Sequence, residues 1–211
     1  RDWFERAFEG PTPAQAQSDQ PIKIGFSMAL TGPLAANGKQ ALLGAKIWEE
    51  QTNKDGGLLG RQVKIVFYDD QSNPANVPNL YTKLISVDKA DLLLGPYGTN
   101  YVAPVMPTII QNKKLLISYT ATGINNQYKY DKYFSMVPVG SDGVNAFSKG
   151  FFEMAAKQNP KPQTVAIIAA DAEFAQAAAA GARQELKKNG FRLIFDKSYP
   201  PNTTDFTPVM R

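Results

Sequence analysis

From Ile22 onward, short apolar runs alternate with longer segments in which apolar residues recur at helical spacing. Such alternation at a regular pace predicts α/β units built on a mainly parallel sheet. Residues 22–28 (IKIGFSM) predict the first strand. A loop over residues 29–37, turning at Thr31-Gly32-Pro33, leads into a helix with Ala41, Gly44, Ala45 and Trp48 on one face, and Gly56-Gly57 stops it. Residues 63–68 predict the second strand, which runs into Asp69-Asp70. Asn73 or Asn76 caps the helix after it, with Pro78 favouring the later start. The third strand, residues 92–94, is followed by Gly95-Pro96-Tyr97-Gly98-Thr99 and a helix to about residue 112 that Pro104 and Pro107 should shorten, kink or delay. Residues 115–119 predict a fourth strand ending in Thr120-Ala121-Thr122-Gly123.

The pattern then restarts. A strand at 133–136 and a crossover at Val137-Pro138-Val139-Gly140 lead into a helix over 142–158, a strand at 164–169, an alanine-rich helix over about 172–189 capped by Gly190, and a strand at 192–195. Asp205 stands where it would cap one more helix. The expected organisation is an N-terminal α/β lobe over residues 21–138 and the start of a second α/β lobe over 139–211, both incomplete. Residues 1–20, with Pro11, Pro13 and the small-x-small string Ala14-Gln15-Ala16, read as a disordered extension or a leader remnant.

Composition narrows the chemistry. At 211 residues and 43% hydrophobic, the chain can bury a substantial core in one domain or two. It has no cysteine and no histidine, which excludes Cys/His zinc sites, cysteine nucleophiles and histidine general bases. Cysteine-free composition also fits an exported bacterial protein. The net charge of +4 is spread over single and paired basic residues, so no nucleic-acid footprint emerges. No apolar window reaches the length of a bilayer-spanning helix.

Several motifs read as structure. Gly25-Phe26-Ser27-Met28-Ala29 approaches a serine elbow, but the base is missing and Ser27 reads as a strand residue. Ser86-Val87-Asp88-Lys89 matches S-x-x-K without its companion strings. Asp69-Asp70-Gln71-Ser72-Asn73 is half of a calcium loop, with Pro74 where glycine is required. The turn at Gly95 to Thr99 fits neither a phosphate-binding loop nor a dinucleotide fingerprint, so no cofactor is implied. Gly98 permits close backbone approach, and Thr99 brings a hydroxyl to a helix N-terminus. That turn is either a bare helix cap or a seat for a carboxylate. In a parallel sheet ligands collect at the carboxyl ends of strands, where Thr99, Thr120 and Thr122 converge if the strand order is simple, which favours a neutral clamp for one carboxylate.

The strings IGFSMALTGP (24–33), DGGLLG (55–60), Tyr68-Asp69-Asp70, Leu94 to Pro104 and ISYTAT (117–122) occur in the order and spacing of a known family. From residue 21 to 211 the chain resembles the periplasmic solute-binding proteins of ABC transporters related to the leucine/isoleucine/valine-binding protein. The resemblance implies a type I periplasmic binding fold: two Rossmann-like lobes that close on a small ligand about a hinge. It further implies that Thr99 and Thr122 hold a carboxylate, that the Thr120 carbonyl accepts from an α-ammonium, that Tyr97 and Gly98 belong to the same jaw, and that Phe174 covers the ligand from the second lobe. Asn37 falls where the valine and leucine binders carry an aromatic residue, which argues against a purely aliphatic ligand. The implied role is extracytoplasmic capture of an amino acid or related organic or aromatic acid for a membrane permease. A ligand-sensing regulator of the same fold is the alternative. In the family the second lobe continues beyond the equivalent of Arg211, so this chain is expected to hold half a cleft and to bind weakly or not at all by itself.

Overall fold

A computed structural model of the chain describes residues 20–137, 143, 145–201 and 203–210. The expected extension over 1–20, apart from its last residue, and the crossover at 138–140 with the expected lobe boundary lie outside the described residues; among those described, the helix expected over 142–158 forms only over Lys149–Ala156, after a turn at residues 145–148. Strands β1 (Ile22–Met28), β2 (Val63–Asp69), β3 (Leu92–Leu94), β4 (Leu116–Ser118) and β5 (Tyr133–Ser135) form a parallel sheet in the order β2-β1-β3-β4-β5. Strand β1 lies inside it, with Ile24 paired to both Ile65 and Leu92. Helices cover both of its faces, which is why every residue of β1 except Lys23 is buried.

Helix α1 (Ala35–Lys54) takes one face of the sheet, and α2 (Val77–Ser86) with α3 (Thr99–Gln111) takes the other. Tyr81, Leu84, Leu93, Val102, Val105, Met106, Ile109 and Leu116 are fully buried between α2, α3 and the strands. Burying an aliphatic side chain of this size stabilises by about 1.5–3 kcal/mol each, so this cluster dominates the stability of the sheet. Short α4 (Ile124–Tyr128), which the sequence pattern does not announce, follows β4.

The inward face of α1 differs from the expected one. Gly44 and Trp48 point outward, Trp48 being 42% exposed. Gly38, Leu42, Ala45, Glu49 and Asn53 form the inward stripe instead. A Cβ on Gly38 would lie 1.9 Å from the Ala29 carbonyl oxygen, so only glycine lets the helix come this close. At the other end Asn53 exchanges two hydrogen bonds with the Val63 backbone, at 2.7 and 2.9 Å, and Glu49 accepts from the Ile65 N–H at 2.6 Å. These side chains satisfy the free edge of β2, the outer strand, and their phase outweighs the pull of one tryptophan.

Helix α3 is neither short nor delayed, and it runs through Pro104 and Pro107. Pro107 cannot donate to the Ala103 carbonyl, but the Tyr128 hydroxyl donates to that oxygen at 2.9 Å. A side chain from α4 thereby replaces the hydrogen bond that proline removes. Near α2 both asparagines serve, though differently: Asn73 accepts from the Ala75 N–H and opens a short 3₁₀ turn, Pro74–Asn76, while the Asn76 side chain donates to the Asp70 carbonyl.

A second, two-stranded parallel sheet joins β6 (Thr164–Ala170) to β7 (Arg192–Tyr199). Helices α5 (Lys149–Ala156) and α6 (Glu173–Lys188) pack on it around Phe152, Ile167, Ala169, Ala179, Leu186 and Phe191. Strand β7 outlasts its expected end at 195 because polar Asp196, Lys197 and Ser198 continue to pair with β6. Asp196 also accepts a two-pronged ion pair from Arg183 of α6, at 2.6 and 2.7 Å. A final short helix, α7 (Thr207–Met210), has its first N–H taken by Asp205, as expected of a cap.

Candidate functional site

The sheet order reverses at β1, so loops leaving β1 and β3 diverge to opposite faces and leave a crevice at their carboxyl ends. A pocket of about 260 Å³ opens there, lined by Leu34, Tyr97, Gly98, Thr99, Asn100, Tyr101, Thr120 and Phe174. Two larger hollows, of about 770 and 790 Å³, lie elsewhere. One is an apolar groove against the second sheet, lined by core residues such as Ile167 and Phe152. The other lies beyond Asn100, between Tyr128 and Glu173. The small pocket is the one where hydroxyls and a helix N-terminus meet.

The loop after β1 is held by two adjacent carboxylates. Asp69 accepts from the N–H groups of Leu30, Thr31 and Gln71 and from the Thr31 hydroxyl, at 2.7 to 3.2 Å. Burial alone would raise its pKa, but these four donors outweigh it and hold the carboxyl below the usual 3.8. Asp70, fully buried, accepts from the Ser27 hydroxyl and the Ser72 N–H. Burial pushes its carboxyl up, against those two bonds. The Ser72 hydroxyl then donates to the Thr31 carbonyl and accepts from the Leu34 N–H, which seats Leu34 in the pocket wall. The acidic string therefore serves as a loop lock built from backbone donors, and Ser27 is a buried strand residue within it.

On the β3 side, Gly98 takes φ 93° and ψ 163°, a conformation open to glycine, and α3 starts at the next residue. The Tyr101 and Val102 N–H groups both turn back to the Gly98 carbonyl. The Thr99 and Asn100 N–H groups stand at the helix start, where α-helical geometry offers them no partner. The Gly98 N–H donates to the Thr120 hydroxyl at 2.8 Å, leaving the proton of that hydroxyl free to turn toward the pocket.

Five of the seven expected site residues, Tyr97, Gly98, Thr99, Thr120 and Phe174, share this pocket. Thr122 lies behind the wall. Its N–H donates to the Thr99 hydroxyl oxygen at 3.1 Å, and that hydroxyl reaches back to the Thr122 carbonyl at 3.5 Å. The two residues thus hold one another across the carboxyl ends of β3 and β4. Asn37 is exposed in the first turn of α1 and donates to the Tyr97 hydroxyl at 3.0 Å. It touches the pocket through that tyrosine. Beneath Tyr97 lies Tyr119, whose hydroxyl burial pushes well above the usual tyrosine range, with Tyr97 adding to the shift. Leu34, Asn100 and Tyr101 complete the wall and were not expected from the sequence. Asn100 carried a usable signal, its place beside Thr99 at a helix start.

The sequence model of the periplasmic binding protein family matches residues 21–211, and the chain belongs to that family. It is 28% identical over 198 residues to the Leu/Ile/Val-binding protein BraC3 of Rhizobium johnstonii, covering 89% of this chain and 50% of the relative. The chain thus spans about half the length of the curated relatives it matches. Among solved structures it resembles the branched-chain amino acid transporter substrate binding protein LivJ of Streptococcus pneumoniae in complex with isoleucine, at 24% identity and TM-score 0.78, covering 90% of this chain and 53% of that one. It also resembles a solute binding protein of an ABC transporter from Rhodopseudomonas palustris in complex with 4-hydroxybenzoate, at 25% identity and TM-score 0.75, covering 90% and 50%. The fold is that of the type I periplasmic binding proteins. No described helix is long and apolar enough to cross a membrane.

Proposed function

We propose that this chain forms the carboxylate-binding half of an extracytoplasmic solute-binding protein, which captures a small amino acid or aromatic acid and delivers it to the permease of an ABC transporter. One observation carries the reading: a pocket at the switch point of a parallel sheet into which the head of α3 and the Thr120 hydroxyl converge. A few neutral donors and the positive end of a helix dipole suit a single carboxylate. Thr99 and Thr122, paired with one another, would exchange that bond for the bound carboxylate. Tyr97, Gly98, Phe174 and, through Tyr97, Asn37 frame the remainder of the solute. Residues 21–138 and 139–211 are the two lobes of this reading, and the periplasm is its compartment.

Because half a cleft is expected to bind weakly, the test is a thermal-shift screen of the chain at high, millimolar concentrations of L-isoleucine, 4-hydroxybenzoate and 4-hydroxybenzamide. A carboxylate seat predicts stabilisation by at least one acid and none by the neutral amide. Thr99→Ala, which removes a buried polar partner, should weaken acid binding by about 1–3 kcal/mol. Equal stabilisation by amide and acid, or unchanged affinity in Thr99→Ala, would sink the carboxylate reading.

A further inference from the structure

Helix α6 starts without a cap of its own. The residue before it, Ala172, has the extended backbone of a cap, φ −142° and ψ 144°, but no side-chain oxygen, and no side-chain cap bond forms there. Alanine is among the poorest residues at this position, because the N–H groups of the first turn have no helical partner and need an acceptor. The second N–H of α6, that of Phe174, is one that a capping side chain ordinarily serves. It donates instead to Asn100 Oδ1, 74 residues earlier in the chain and on the first turn of α3, at 3.2 Å. The cap of a helix in the second sheet's layer is thus supplied by a residue of the first sheet's layer.

Two consequences follow from where this bond lies. It exists only while the start of α6 sits against the start of α3, so it favours that arrangement of the two layers. It also fixes Phe174, whose ring lines the pocket opposite Thr99 and Thr120 and meets Phe147 edge-on, with centroids 5.2 Å apart. We propose that Asn100 is a cross-cleft latch, a positioning residue that caps α6 in trans and sets Phe174 over the solute pocket. Its purpose rests on the solute-binding reading above, whereas the latch itself can be tested without any ligand.

Because the chain has no cysteine, Gln111→Cys together with Lys187→Cys places one label at the end of α3 and one near the end of α6. Spin-label distance distributions are then recorded on the ligand-free chain. With Asn100 intact, a single narrow distance distribution is expected. Asn100→Ala and Asn100→Leu, which lack the acceptor, should both broaden it with a second population. Asn100→Asp, which keeps an oxygen at the same reach, should restore the narrow distribution, a rescue that loss of packing alone would not produce. The proposal is overturned by an unchanged distribution in Asn100→Ala, or by an Asn100→Asp distribution as broad as that of Asn100→Ala. A failed acid screen leaves these distances standing, and an unchanged distance in Asn100→Ala leaves the carboxylate seat standing.

Discussion

Asp69 and Asp70 are neighbours whose carboxyls are driven in opposite directions, so they act oppositely on stability as pH changes. Asp69 lies below its ordinary 3.8 because its charge is met by three N–H groups and a hydroxyl. Its contribution is complete above 3.8 and is lost as pH falls through its lower, folded value. Asp70 lies above 3.8 because burial opposes its charge more than its two hydrogen bonds favour it. Between 3.8 and that higher folded value the native state holds more proton than the unfolded chain, so stability declines as pH rises through the window. Asp70→Asn keeps an oxygen for the Ser72 N–H and removes the charge. Urea unfolding at several pH values should show its stability relative to the parent rising across that window and levelling above it. A difference that shrinks with rising pH would contradict the burial argument.

Among the elements, α3 departs most from its expected form, and the reason is a side chain from elsewhere. Two prolines in thirteen residues predict a damaged helix, yet Tyr128 of α4 donates to the carbonyl that Pro107 leaves unserved. Tyr128→Phe keeps the ring and deletes the donor, and should cost about 1 kcal/mol in chemical denaturation. No loss of stability would mean that the Ala103 carbonyl is satisfied in another way. The same logic governs α1. Leu43, Ile47 and Trp48 lie outward at 54%, 59% and 42% exposure, because Gly38, Glu49 and Asn53 tie the opposite stripe to the sheet. A helix chooses its inward face by total contact and hydrogen bonding, and apolar count alone misassigned Gly44 and Trp48.

At the scale of the whole molecule, two sheets carry separate cores, and Phe152 belongs to the second. Phe152→Ala should therefore cost about 3–5 kcal/mol in the unfolding of the β6–β7 layer. Melting followed by circular dichroism should then show the β6–β7 layer unfolding at a lower temperature than in the parent, while the transition of the five-stranded sheet stays in place. A uniform shift of the whole melt would show that the two cores unfold as one. Strand β1, the order of alternating elements and the turn from Gly95 to Thr99 were all determined by the sequence, because runs, periods and glycine positions are local properties of a chain. Thr99, Thr120 and Tyr97 were visible for the same reason, being hydroxyls at strand ends. What tertiary structure decided is which groups meet: that Thr99 and Thr122 bond to one another, that Asp69 and Asp70 serve a loop, that Tyr128 repairs α3, and that Asn100 caps α6. Each of those pairings joins residues between 23 and 74 positions apart, except the two aspartates with their nearest donors. Contacts at such separations are set by the strand order and by the packing of helices on the sheets, which no local pattern of apolar and polar residues encodes.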